Sequence, residues 1–479
     1  MSTLISIAFE EWRHWSRSRM ALWAGGVLAA LLITTSLVTV ARMDAERQAR
    51  LDHQQGAEDA FTSQPDRHPH RMVHYGHYLF RLPSPLTAME PGVDPVTGQA
   101  IFLEGHRQNT AAGSEANRSA FLGDLSWPSP ALLYQFFVPL LLILLGYAAV
   151  VRERENRTLV ALMSQGVGGG RIMSGKGLAL GAAAALSLLP ALVIGGRAVL
   201  MGEAWSAVAS MLAVYMGYLV LWCVLVLCIS SWARTRGAAL TSLLALWLVV
   251  TLVIPGIAVH WAATTSPSPG KISTDFAMQA ELRTMGDGHN ASDPAFAAFR
   301  DRVLSQYDVD EIEELPVNWR GLVAEHSEAK LTELMNRYAE QRMTQEEAQA
   351  RAVGLFGWLS PYLAIGNASR TLSGADLATH HRFLREAERV RFDFVQSLNR
   401  AHAEQMAYAD DINRSRDAAA ERRTRISADN WKVLETFEFE PAPAAERIER
   451  ALPAVAMLAL WLAAAAAASV IAARRLGLQ

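Results

Sequence analysis

The chain has 479 residues, 51% of them hydrophobic and 19% charged, with a formal net charge of −3. A mean hydropathy of only +0.12 fits that apolar fraction if apolar residues are gathered into blocks with long polar stretches between them. Cys223 and Cys228, the two cysteines, share one apolar run, which excludes a disulfide scaffold and argues against zinc-finger or redox-pair chemistry.

In the first 19 residues, Leu4, Ile5, Phe9, Trp12 and Trp15 recur at near-helical spacing, with Arg13, Arg17 and Arg19 toward the end. The pattern predicts a helix over 1–19 lying in the membrane interface, tryptophans near the headgroups and arginines reaching phosphate. Six stretches then lack any Asp, Glu, Lys or Arg: Met20–Ala41, Leu132–Val151, Gly177–Gly196, Ser206–Ser231, Ala238–Trp261 and Ala451–Ala473. Each has roughly the 20 residues that a helix needs to cross the hydrocarbon core. The first is longer than a signal-peptide core, and Thr39-Val40-Ala41 is a poor cleavage site, so it reads as a span. The expected fold is an all-α polytopic membrane protein with six transmembrane helices.

Charge sets the expected orientation. With the N-terminus inside, the cytoplasmic segments hold 12 basic residues against four acidic ones, Glu10, Glu11, Glu153 and Glu155. Short basic loops stay inside, whereas long loops cross largely regardless of charge. Both termini are expected in the cytoplasm, and two insertions, 42–131 and 262–450, outside. The first carries seven prolines from Pro65 to Pro128 and predicts short elements and turns. The second predicts a mainly helical extracytoplasmic domain tethered to spans five and six, with helices from about Glu325 to Arg342 and from Gln345 to Trp358. In a further long helix, Phe383, Ala387, Val390, Phe394 and Leu398 recur at spacings of three and four. That stripe needs a partner, either the Gln345–Trp358 helix or its counterpart in a second protomer, while Arg391 is expected to face solvent. The domain's 23 basic and 31 acidic residues argue against a nucleic-acid surface.

Chemical motifs are few. Gly170-Arg-Ile-Met-Ser-Gly175-Lys176 fits seven positions of a P-loop, but the magnesium-binding Ser or Thr is replaced by Gly177. No nucleotide site is therefore expected in this chain. There is no G-x-S-x-G and no H-E-x-x-H. His68, His70, His74 and His77 fall within ten residues; His70, His74 and His77 are the candidate metal ligands, and His70 and His74 would share a helix face. Pro69 argues against a helix there, and packing accounts for the group equally well, so no metal centre is expected. His380-His381 at a helix start reads as capping or packing. The spans carry no Asp, Glu, Lys or Arg, which weakens an ion-coupled reading, so energy must come from elsewhere. Pro139 and Pro190 are expected to bend their spans.

Between spans two and three runs Arg152-Glu-Arg-Glu-Asn-Arg-Thr-Leu159, followed by Leu162, Gln165 and Gly175-Lys176. This resembles the cytoplasmic signature of ABC-2 type exporter permeases, although Asn156-Arg157 stands where that family more usually has a small residue and a glycine. His74-Tyr75-Gly76, Pro83-Ser84-Pro85-Leu86 and His106-Arg107-Gln108 resemble the first-loop motifs of an ABC-2 subgroup with large extracytoplasmic insertions. Pro316-Val317-Asn318-Trp319-Arg320-Gly321, Ser360-Pro361-Tyr362-Leu363 and Gly374-Ala375-Asp376 resemble those of its second loop. The chain is more distantly similar to the permease of the nitrous-oxide-reductase maturation system.

The resemblance implies a non-catalytic permease subunit in a bacterial inner membrane. Residues 152–176 would dock cytoplasmic ABC ATPase subunits, which hold the ATP and magnesium; this chain would bind no cofactor. Glu153 and Glu155 would make polar contacts to the ATPase, Thr158 and Leu159 would pack the bridge, and Arg157, Leu162 and Lys176 would complete it. A second permease copy, identical or paralogous, would close the path, with lipid and conceivable periplasmic proteins as further partners and no nucleic acid. The rival reading is mechanotransmission, with ATPase motion driving the outward domains and no substrate crossing. Gly25, Gly26, Thr34, Thr35 and Ser36 give span one small and polar residues for a path, which favours export.

Overall fold

A computed structural model describes residues 3–112, 128–286, 288–436 and 438–476; residues 113–127 of the first insertion, and Gln479, lie outside them. The described chain is mainly helical. Helix α1 (Thr3–Arg17) buries Ala8, Glu11 and Trp15, and leaves Leu4, Ile5, Phe9 and Trp12 exposed. The Trp15 indole N–H donates to the Leu145 carbonyl at 2.9 Å, fixing α1 against span two.

Helix α2 (Arg19–Thr62) begins where the Ser18 side chain accepts from the Ala21 N–H. It continues well past span one, 44 residues in all, or about 66 Å at 1.5 Å per residue. This corrects the expectation of turns at the start of the first insertion. The segment from Arg42 to Thr62 is rich in Ala, Arg, Glu and Gln and has no proline before Pro65, so propensity carries the helix onward. After it come α3 (Pro69–Tyr75) and an antiparallel hairpin of β1 (His77–Phe80) and β2 (Ala100–Leu103), pairing His77 with Leu103 and Phe80 with Ala100. Pro69 starts α3 instead of breaking it. At the first helical position its missing N–H costs nothing, and the His68 ring accepts from the His70 N–H as the cap.

Among the described residues, five helices are long and apolar enough to cross a membrane, or six if one bent pair counts as a single span. They are α2, α4 (Pro130–Glu155), the pair α6 (Gly169–Ser187) and α7 (Leu189–Leu200), α8 (Trp205–Trp232), α9 (Arg236–Thr265) and α17 (Ala444–Leu476); the short α5 (Thr158–Ser164) precedes α6. The α6–α7 pair bends by 42° beside Pro190. Spans α4 and α9 each pass through a π turn, Leu133–Phe137 and Val249–Val253, just before Pro139 and Pro255. A proline deprives the carbonyl four residues back of its helical donor. That carbonyl for Pro139, on Gln135, accepts from the Tyr218 hydroxyl at 2.7 Å. Trp247 Nε1 donates to the Phe136 carbonyl at 3.2 Å, and the Ser360 hydroxyl to the Val250 carbonyl at 2.6 Å. Neighbouring helices thus satisfy the backbone that the wide turns release. Tyr134, Leu142, Ile172, Leu180, Tyr215, Tyr218 and Trp222 form the centre of the bundle.

The second insertion holds α10 (Gly270–Leu282), α11 (Ala297–Tyr307), α12 (Trp319–Leu355), α13 (Pro361–Ser373), α14 (Leu377–Glu404), α15 (Tyr408–Asn413) and α16 (Ala418–Arg423). The two helices expected over 325–358 are one, α12, because no Gly or Pro separates Arg342 from Gln345. The apolar stripe of α14 packs on α12 and on the first insertion: Phe61, Met72, Val73, Leu79, Ile101 and Leu103 share a core with Phe383, Ala387, Phe394 and Leu398. The two insertions therefore form one folded unit. Arg391, expected in solvent, is 1% exposed and sits between Glu328 and Glu388. Nor is the second insertion merely tethered, since α13 packs against α8 and α17 of the bundle.

Candidate coupling segment and transmembrane groove

The segment joining α4 to α6 is short and held from several sides. Lys176, 3% exposed, donates to Glu11 of α1 and, at 3.1 Å, to Glu153; Arg152 donates to the same Glu11 carboxylate at 2.7 Å. Removing charges from water is offset only when each finds good partners, and here two cations close on two carboxylates. Gly175 permits this approach, because a Cβ there would come within 2.7 Å of Ile7. The Gly-Lys pair thus has a physical role: the glycine admits α1 and the lysine binds it.

Glu155 is engaged from the other side. Its carboxylate accepts the Arg236 backbone N–H at 2.8 Å and the Arg236 guanidinium as well, joining α4 to α9. The Thr158 hydroxyl donates to Glu153, Leu159 is buried, and Leu162 packs against the bundle core. Arg157 adopts φ 60°, the left-handed region, at the position where the resembled signature has glycine. Outward-facing residues of the bridge include Asn156, Arg157, Val160, Gln165 and Arg171. Glu153, Glu155 and Lys176 are thus committed to contacts within the chain, and Glu11 joins them. Charge counting saw Glu11 only as a negative residue; its position beside the stripe of α1 was the available signal.

At the opposite end of the spans, buried polar contacts bind the insertions to the bundle. Gln135 Nε2 donates to Glu90 at 3.1 Å and to the Tyr215 hydroxyl at 2.9 Å, and Tyr215 meets Ser369 of α13 at 2.8 Å. Arg447 donates to the Leu372 carbonyl at 2.7 Å and pairs with Glu203, which also accepts from the Ser84 hydroxyl at 3.3 Å. Between α1, α2, α4 and the α6–α7 pair lies an apolar groove of about 900 Å³, bordered by Gly25, Gly26 and Ser36 as well as Trp12, Leu141 and Pro190. Thr35, also named as a path residue, is buried beside it.

Among the described residues, histidines gather in two clusters. His70 and His74 on α3 meet His106, in the turn after β2, and His289, between α10 and α11. His77 is elsewhere, buried in β1 against Phe61 at 5.0 Å between ring centroids. No spacing signal could have joined His106 and His289 to α3, since tertiary folding alone brings them together. Burial and the neighbouring histidines hold the His70 imidazole down to about 3. In a second cluster, Asp411 accepts from His402 at 2.9 Å and His68 at 3.2 Å. Burial pushes its carboxyl up, but these hydrogen bonds outweigh that and hold it well below the usual carboxylate range. His381 lies at 2.7 Å from Glu346 and 3.2 Å from Glu347, so it is held by α12.

Comparison with known proteins bears on the whole assembly. The family of ABC-2 family transporter proteins matches residues 5–307, and a domain of unknown function, DUF3526, matches residues 273–440. No curated protein matches the chain significantly. The ABC-2 match takes in α1, the first five spans, the bridge 152–176 and the first insertion, which is well over half of the sequence. Association with ABC ATPase subunits is a general property that this family implies. The chain belongs to the ABC-2 transporter family, as a multi-pass membrane permease and a non-catalytic component of transport.

Proposed function

We propose that this permease is the membrane half of an ATP-driven exporter, with ATP and magnesium held by separate ATPase subunits that dock on residues 152–176. In this reading the bridge and both termini face the cytoplasm of a bacterial inner membrane, and the two insertions face outward. A second copy, identical or paralogous, completes the transport path, and the groove along span one contributes its wall. The observation that carries the reading is the build of the bridge: an exposed face on a segment clamped to α1 by Lys176 and to α9 by Glu155. A push on such a segment moves several helices together.

One observation favours mechanotransmission as a second reading. Helix α2 runs unbroken from span one into the core of the insertions, where Phe61 packs on Phe394 at 5.4 Å between ring centroids. A tilt of span one would be delivered to the outward unit through a continuous rod. Both readings require a partner ATPase. The purified chain is expected to hydrolyse no ATP alone and to copurify with an ATPase when the two are coexpressed. Reversing Glu153 and Glu155 together should lower coupled activity while helix content is retained; ATP turnover by the isolated chain would refute the proposal. Substrate movement into sealed vesicles separates the two readings.

A further inference from the structure

Four imidazoles from three separate segments converge beside the outward core. One candidate ligand atom from each of His70, His74, His106 and His289 lies within 4.8 Å of all the others. His70 Nε2 and His74 Nε2 are 3.2 Å apart, close to the edge of about 3.3 Å that a tetrahedron with metal–nitrogen bonds of about 2.0–2.1 Å requires. Two residues on one turn of α3 supply that edge, and the His106 and His289 rings, 4.8 Å apart between centroids, face it from loops.

His106 carries the independent evidence. Its Nδ1 lies 2.8 Å from Glu328 Oε2, so the proton sits on Nδ1 and the Nε2 lone pair is left bare. That Nε2 is buried and has no hydrogen-bond partner among the described residues. Glu328 is itself fixed by Arg391 at 2.5 Å. A carboxylate that orients an imidazole and raises the basicity of its other nitrogen is the usual outer support of a metal-binding histidine. A buried nitrogen acceptor without a donor costs free energy, and a metal ion would remove that cost.

We propose that His70, His74, His106 and His289 bind one divalent first-row transition-metal ion at the junction of the two insertions. The all-imidazole donor set suits zinc, copper(II) or nickel(II) and disfavours magnesium and calcium, which take oxygen ligands. His74 and His289 are exposed, and a cavity of about 530 Å³ bordered by His106, His289 and Met285 reaches the same point, so an ion has access. Bound there, it would cross-link α3 and the β2 turn to the segment between α10 and α11.

The test uses the full-length protein in detergent, stripped with chelator and titrated with zinc against a chromophoric competitor. One zinc per chain is expected, with affinity lowered at least about tenfold by His74→Asn and by His289→Asn, and unchanged by His77→Leu. Because both tested side chains are exposed, these variants should melt as the metal-free wild type does, while zinc raises the melting temperature of the wild type alone. Cobalt(II) gives a readout that needs no variant: visible bands of a four-coordinate, nitrogen-bound ion. Binding below one equivalent, equal affinity in wild type and both variants, or a six-coordinate cobalt spectrum would each overturn the assignment.

Discussion

Replacing Arg391 by glutamate tests the unity of the domain that the two insertions build, at its most charged point. The guanidinium donates to Glu388 at 2.7 and 2.8 Å, to Glu328 at 2.5 Å and to the Thr332 hydroxyl at 2.8 Å, thereby joining α14 to α12. Burial pushes the Glu328 carboxyl up, yet the His106 hydrogen bond and the Arg391 charge bring it down to about 2, so it stays ionised and needs its cation. Removing one partner of a buried ion pair costs about 3–5 kcal/mol. Glutamate does more, since it sets a third carboxylate against Glu328 and Glu388. At about 2–4 °C per kcal/mol for a unit of this size, a fall in melting temperature on the order of 10 °C is expected for the full-length protein in detergent. Arg389, exposed two residues earlier on the same helix, is the control: Arg389→Glu should cost within about 0.5 kcal/mol. Phe394→Asp should be severe as well, because it forfeits about 1.5–3 kcal/mol of side-chain burial and puts a carboxylate against Phe61. If Arg391→Glu and Arg389→Glu melt alike, the buried network and the shared core built around it are wrong.

Other expectations follow from single features. Reporter fusions near residue 110 and after Ser266 should read outside, and those after Lys176 and at Gln479 inside; one reversal overturns the topology, because each span fixes the sign of the next. Arg157→Gly should raise thermal stability slightly, by up to about 1 kcal/mol, because glycine accepts the left-handed backbone without the side-chain clash; a loss would show that the arginine side chain outweighs its strain. Burial holds the His77 imidazole at about 4 against an ordinary 6.5. The folded state therefore binds fewer protons than the unfolded one between those values, and stability falls as pH drops from 6.5 toward 4. His77→Leu should remove up to about 3 kcal/mol of that loss, seen as a smaller drop in melting temperature between pH 7.5 and 4.5; an unchanged drop refutes the assignment to His77.

What could be read from the sequence depended on whether a signal was local. The charge-free stretches were legible because water-free surroundings penalise every charge; five of them fall on single long apolar helices and the third on the bent α6–α7 pair. Where a span stops being apolar was legible, but where its helix stops was not. From Arg42 to Thr62 hydropathy says solvent, while propensity continues the helix. Arg391 was assigned to solvent by its charge, although its position said otherwise: it follows Ala387 by four residues and precedes Phe394 by three, on the same face. The shared core of the insertions, and the meeting of His289 with α3, join segments more than 200 and, for Phe61 and Phe394, 333 residues apart. Periodicity carries no information at that range.

The polar contacts at the two ends of the bundle constrain how motion could pass through it. At the bridge, buried Glu11 and Lys176 and half-buried Arg152 and Glu153 form one cluster spanning α1, α4 and α6. Separating any pair would leave a charge without its partner, at a cost of several kcal/mol. At the far end, Glu90, Gln135, Tyr215 and Ser369 link the first insertion, α4, α8 and α13. Neither end can give way cheaply. The easier deformations lie between them, at the 42° break beside Pro190 and at the π turn before Pro255, where the Ser360 hydroxyl already donates to the Val250 carbonyl. A push on the bridge is therefore expected to be taken up as bending within the spans. The bridge and the outward unit would then move as rigid bodies, joined in span one by a helix without any such break.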